Sequence, residues 1–114
     1  MEKIKPMTIS DPESGKEYTL EFSRKSVSKA EQAGLDINAI EAKSMTMIPL
    51  LFWGAFLMHH PYMTKDQTDK ILFDGLGGLN EEEMAYLGKL YSVPFQTLVA
   101  SEDEANPRKM AIKF

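Results

Sequence analysis

Two hydrophobic periods divide the chain. Over residues 6–22 apolar positions recur every second residue. Met7 and Ile9 alternate with Thr8 and Ser10, and Tyr18, Leu20 and Phe22 alternate with Glu17, Thr19 and Glu21. That period turns one face of each segment to a core and the other to solvent, which predicts a β-hairpin within 3–22. Asp11-Pro12-Glu13-Ser14-Gly15 supplies the turn, because proline presets φ and glycine accepts a positive φ. Pro6 has no N–H to give a ladder, so the first strand is short or at an edge.

From Ser23 the period is helical. Ser23 reads as an N-cap, with Phe22 and Val27 placed as a hydrophobic staple, and Gly34 as the stop. Val27 and Ala30 share the apolar face. Asp36 caps a short turn in which Ile37 and Ile40 lie together. Further on, Thr64 and Gln67 form a capping box for a helix that carries Ile71, Leu72 and Leu76 and ends at Asp74-Gly75. Gly77-Gly78 makes the next connection. Asn80 and Glu83 open the last helix in the same way, with Leu79 and Met84 as its staple. Its stripe is Met84, Leu87, Tyr91, Phe95 and Leu98, and Pro94 predicts a kink or restart near Ser92.

Between these elements lies the most apolar stretch, from Thr46 to His60, which contains Trp53 and is bounded by Pro49 and Pro61. It predicts a helix that is apolar nearly all round, with Pro49 in its first turn and Pro61 helping to end it. Such a helix has to be buried in its own domain, against another subunit or against a partner. Beyond Ser101 the chain is acidic at Glu102-Asp103-Glu104, turns at Asn106-Pro107, and then alternates again, with Met110, Ile112 and Phe114 against Lys109, Ala111 and Lys113. That ending is strand-like. It adds to the hairpin, pairs with another chain or stays mobile. The pattern as a whole predicts an α+β protein, mainly α. An N-terminal β-hairpin (3–22) and four to five helices (24–100) form one domain over 1–100, followed by a tail over 101–114 that is flexible or adds a strand.

Composition narrows the function more than the fold. The chain has 114 residues, enough for one modest core, and 43% of them are hydrophobic. It contains no cysteine, which excludes disulfides and thiolate metal sites and fits a reducing compartment. The net charge of −4, without a long basic run, argues against a phosphate-neutralising nucleic-acid face. The run from Met47 to Met58 is shorter than the ~20 residues a membrane-spanning helix needs, and no apolar h-region follows the N-terminus. The expectation is a cytoplasmic protein with neither a nucleic-acid nor a membrane partner.

Candidate chemistry is sparse. His59 and His60 are neighbours, so on a helix they point about 100° apart and do not chelate one ion. The carboxylates of Glu81-Glu82-Glu83 sit where a helix N-terminus stabilises negative charge, and Asp66 and Asp69 belong to an early helical turn. Gly75-Leu76-Gly77-Gly78 follows a helix instead of a strand and lacks the Lys-Ser/Thr ending of a phosphate loop. The reading is therefore no enzyme, no cofactor and no metal. A small enzyme would be revived by a pocket that gathers Asp69, Glu83 or His59. The eight methionines suit adaptable apolar surface as well as core filling.

The order of phrases carries a resemblance. Tyr18-Thr19-Leu20-Glu21-Phe22 runs into Ser23-Arg24-Lys25-Ser26-Val27. A helix bearing Glu31 ends Ala33-Gly34-Leu35-Asp36-Ile37, and the apolar segment from Pro49 to Pro61 precedes the helix that opens at Thr64. Over about Tyr18 to Leu98 the chain resembles the tail assembly chaperones of long-tailed, siphovirus-like bacteriophages and related prophages. The resemblance implies a non-enzymatic protein of the host cytoplasm, absent from the mature virion. It would bind the hydrophobic, helical tape measure protein and keep it soluble until the tail tube polymerises. Many such proteins are made in two forms by a translational frameshift, and this chain would match the shorter one. The resemblance leaves contact with the tail tube protein and formation of a homo-oligomer open. The Lys109–Phe114 segment has no place in the family pattern. Phe52, Trp53, Phe56 and Met63 are the candidates for a client or self-association face. The alternative is a structural virion component, such as a tail-completion or head–tail joining protein.

Overall fold

The computed structural model describes residues 4–97, 110 and 112–114. Strand β1 (Met7–Ser10) and strand β2 (Glu17–Leu20) pair antiparallel, with Met7 opposite Leu20 and Ile9 opposite Tyr18. The turn is held by Asp11. Its carboxylate accepts the Glu13 N–H at 3.0 Å and the Ser14 hydroxyl at 2.9 Å, and Gly15 takes a φ of 74°. The Ser14 hydroxyl and then the Glu13 amide hold the Asp11 carboxyl below its usual range.

Helix α1 (Arg24–Gln32) begins with a capping box between Ser23 and Ser26. It buries Val27 and Ala30 and ends before Gly34, whose φ is 113°. A short 3-10 turn over Ile37–Ala39 is capped by Asp36 and leads to the central helix α2 (Ser44–Phe56). Helix α3 (Lys65–Asp69) starts at the Thr64–Gln67 capping box. Helix α4 (Glu81–Ser92) starts at the Asn80–Glu83 box, and a 3-10 turn over Val93–Thr97 follows at Pro94. The described residues thus form a hairpin followed by four helices, α+β and mainly α.

Helix α2 is the core. Met47, Leu50, Leu51, Phe52, Ala55 and Phe56 are all buried, packed by β2, α1, α3 and α4. Each large side chain of this set contributes on the order of 1.5–3 kcal/mol by leaving water. The closest approach is at Gly54. A methyl group there would stand 3.0 Å from Cβ of Ala30 and 3.3 Å from the Phe22 ring, so α1 and the end of the hairpin lie directly on the α2 backbone. The hairpin is tied on by polar contacts too. The Glu21 N–H donates to the Ala55 carbonyl at 2.9 Å, and the Thr19 N–H donates to Nε2 of His60 at 3.0 Å.

Three expectations shift. Helix α2 starts at Ser44, so Pro49 lies inside the helix and not in its first turn. The ladder opens with the Met47 N–H on the Lys43 carbonyl, one turn ahead of the proline. The α-helix also stops at Phe56, and Leu57–His59 form a turn. The helix opened by Thr64 changes after Asp69 into a π-helical stretch, Lys70–Gly75. Met110, Ile112, Lys113 and Phe114 are in no strand, and the sheet has two strands among the described residues. Leu98, the acidic run at Glu102 and the turn at Asn106-Pro107 lie outside the described residues.

Two predictions follow from this packing. Gly54→Ala lowers stability by about 1–3 kcal/mol despite its better helix propensity, because the new methyl overpacks against Ala30. Gly88→Ala, in the same residue class but with open space around it, raises stability by about 0.5–1 kcal/mol. Urea unfolding midpoints of the two variants measure this, and a neutral Gly54→Ala would refute the close approach. The second concerns pH. A carboxyl whose folded pKa is depressed contributes above its unfolded value, and the contribution is lost as pH falls through the folded value. The Glu13 amide resonance therefore titrates with a midpoint below 3.8, the ordinary value for Asp11; a midpoint at or above it shows that the turn bonds do not form.

Candidate functional site

The first turn of α2 projects from the core. Lys43 gives no side-chain cap, and Met45 is 81% exposed. Pro49 has no N–H, so it gives no helical hydrogen bond to the Met45 carbonyl four residues back. Met45, Pro49 and Trp53 follow one another at spacings of four and form a single ridge along α2, with Ile48 beside it.

The π-helical stretch builds the opposing wall. A π-turn inserts one residue per turn and rotates the following side chains relative to an α-helix. Here Leu72 remains in the core, whereas Phe73 is 48% exposed and Leu76 is also exposed. The Leu76 N–H reaches back five residues to the Ile71 carbonyl, and the Gly78 N–H bonds to the Leu72 carbonyl. Gly77 and Gly78 adopt φ values of 68° and 94°, conformations that side-chain-bearing residues rarely take, and return the chain to α4. Between the ridge and this wall lies a cleft of about 210 Å³, bounded by Met45, Ile48, Pro49, Phe73, Leu79 and Met84. Its lining is apolar and includes two methionines, whose unbranched side chains adapt to irregular partners.

The sequence-derived candidates separate. Phe52 and Phe56 are core residues, 1% and 0% exposed, and pack edge to face at 5.1 Å. They are removed from the candidate face: truncating either opens a cavity worth about 3–5 kcal/mol before any partner is affected. Trp53 and Met63 stay half-buried and are joined, the indole N–H donating to the Met63 carbonyl at 3.0 Å. Sequence reasoning missed Met45, Phe73, Leu79 and Met84 as a group. The available signal was the proline four residues after Met45, together with the glycines that follow Phe73.

The titratable candidates are each engaged elsewhere. Nε2 of His59 is 2.8 Å from the Glu21 carboxylate. His60 accepts the Thr19 N–H on Nε2, so that nitrogen carries no proton in this arrangement. Asp69 pairs with Lys65 at 3.0 Å, and Glu83 caps α4. Among the described residues no three His, Cys, Asp or Glu side chains converge on a metal position. Burial pushes the Tyr91 phenol up from its usual value, with Glu31 and Asp36 adding to the effect, and keeps it in its neutral form. Among the described residues no helix is long and apolar enough to cross a membrane.

Fold and cleft together define a small hairpin-and-helix domain whose distinctive surface is an adaptable apolar cleft. The chain belongs to the family described as domain of unknown function DUF5055, whose model matches residues 1–114. No curated protein and no solved structure matches it.

The cleft makes a direct prediction. Met45→Glu and Phe73→Glu each weaken binding of an anilinonaphthalene dye by about tenfold, equivalent to ~1.4 kcal/mol. Both side chains are exposed, so thermal stability stays within about 0.5 kcal/mol of the parent. Dye binding unchanged in both variants would show that the cleft is not an apolar binding surface.

Proposed function

We infer that this protein is a tail assembly chaperone that binds the hydrophobic, helical tape measure protein and keeps it soluble until the tail tube polymerises. The observation that carries the reading is the cleft between Met45 and Phe73, an apolar surface left open beside a central helix whose other apolar residues, Trp53 apart, are buried. Such a groove accepts apolar side chains spaced along one face of a helix, the mode by which amphipathic helices are recognised. Methionine walls tolerate many client sequences, which suits a client bound repeatedly along its length. The phrases from Tyr18 to Leu98 that resemble phage tail assembly chaperones supply the client's identity. In this reading the client face is the cleft together with Trp53, one turn beyond Pro49 on α2, and Met63, which Trp53 bonds. The host cytoplasm is the site of action.

Co-expression with the tape measure protein of the same genome tests the proposal. The parent chain co-purifies with a soluble client, and the Met45→Glu, Phe73→Glu double variant loses at least about tenfold of that recovery. A client that is soluble without this chain, with full-length tails forming in its absence, refutes the role. Stoichiometric retention of the chain in finished particles would instead identify a structural virion component.

A further inference from the structure

The hairpin is tied to the helices mainly at its base. Among the described residues, the Tyr86 hydroxyl donates to the Lys5 carbonyl, and the Glu21 N–H donates to the Ala55 carbonyl. The Glu21 carboxylate meets His59, and the Thr19 N–H donates to Nε2 of His60. Lys5 and Glu21 stand just outside the Met7–Leu20 pair, the end of the ladder farthest from the turn. Thr19 lies one pair nearer the turn, so its bond is the outermost of these ties. Next to it the Tyr18 ring packs edge to face on Phe56 at 5.6 Å and on His60 at 5.4 Å.

A main-chain N–H only donates, so the Thr19 bond requires a lone pair on Nε2 of His60. The His60 N–H bonds to the Phe56 carbonyl at 2.7 Å, which fixes the residue just past the end of α2. Protonation gives the ring two N–H groups and no lone pair, and no rotation of the ring restores an acceptor. The Thr19 N–H then faces a donor from a part-buried position, where an unpaired N–H is costly. His59 responds with the opposite sign. Its Nε2 lies 2.8 Å from the Glu21 carboxylate, and a proton on that ring strengthens the pair. The remaining groups around His60 are Tyr18, in ring contact with it, and Glu17 and Glu21, two residues to either side of Thr19 on β2. Helix α2 brings no charged side chain, and Lys25 and Lys29 of α1 border a cleft shared with Met58 and Pro61. Among the described residues no carboxylate pairs with His60.

We propose that His60 is an acid-sensitive latch on the hairpin. Protonation of its ring releases the Thr19 N–H, and the part of the hairpin toward the turn lifts from the end of α2. The latch is closed above the range in which an imidazole titrates and opens as pH falls through it. Glu21 stays in place, because its N–H bond to Ala55 does not titrate and its ion pair with His59 strengthens over the same range. The hinge therefore lies at Leu20–Glu21. Lifting uncovers the Tyr18 ring and the edge of Phe56, which is 0% exposed when the latch is closed. This inference is independent of the client proposed above.

The test follows amide hydrogen exchange in the full chain by NMR, corrected for the intrinsic effect of pH on exchange. From about pH 7.5 to about pH 5.5, protection of the Thr19 amide is expected to fall at least about tenfold. The Glu21 amide is expected to keep its protection within about threefold over the same span. The Thr19 change shares its midpoint with the His60 ring resonances. His60→Gln places an amide oxygen, which does not titrate in this range, near the position of Nε2 and is expected to abolish the fall. His59→Gln removes the ion pair and is expected to leave the fall intact. Thr19 protection that stays constant over this span in the parent overturns the proposal, and so does an equal loss at Thr19 and Glu21, which marks general loosening. A fall that persists in His60→Gln, or one that vanishes in His59→Gln, overturns it as well.

Discussion

Burial of one apolar helix governs this molecule. Helix α2 has no polar face to give to water, so the remaining elements are arranged to cover it. The contact at Gly54 sets how closely they do so. Because that position has no Cβ, Ala30 and Phe22 reach the helix backbone, and α1 and the hairpin settle on the same part of the cylinder. The two backbone–polar ties from β2, to Ala55 and to His60, are then within reach. A helix buried in this way at its C-terminal half has to emerge somewhere. It emerges at Ser44–Thr46, where Pro49 has already weakened the helical ladder. The cleft is thus a consequence of how the core ends.

The capping residues were legible because their chemistry is local. Ser23, Thr64 and Asn80 each stand three residues before a partner that completes a box, and all three open helices. The hairpin was legible for the same reason, from period-two alternation around a proline–glycine turn. The π-helical stretch was not. Ile71, Leu72 and Leu76 fit α and π spacing almost equally, and a run of apolar residues does not reveal where one extra residue enters a turn. The start of α2 is hidden in the sequence because Ser44 and Met45 look like loop residues beside the apolar run. The cleft is hidden with them, since its walls are the first turn of α2 and the π-helical stretch.

Aromatic content misdirected the choice of surface residues. Phe52 and Phe56 were natural candidates for an interface by type, since aromatic residues dominate both cores and hot spots. In a chain this short the core claims them first. Trp53 stays half-buried, although Pro49 four residues before it is buried. Its indole N–H still needs a partner, which the Met63 carbonyl provides. What distinguishes a surface residue on α2 is the cover its neighbours give it, since Met45, Pro49 and Trp53 share one side of the helix and are exposed, buried and half-buried.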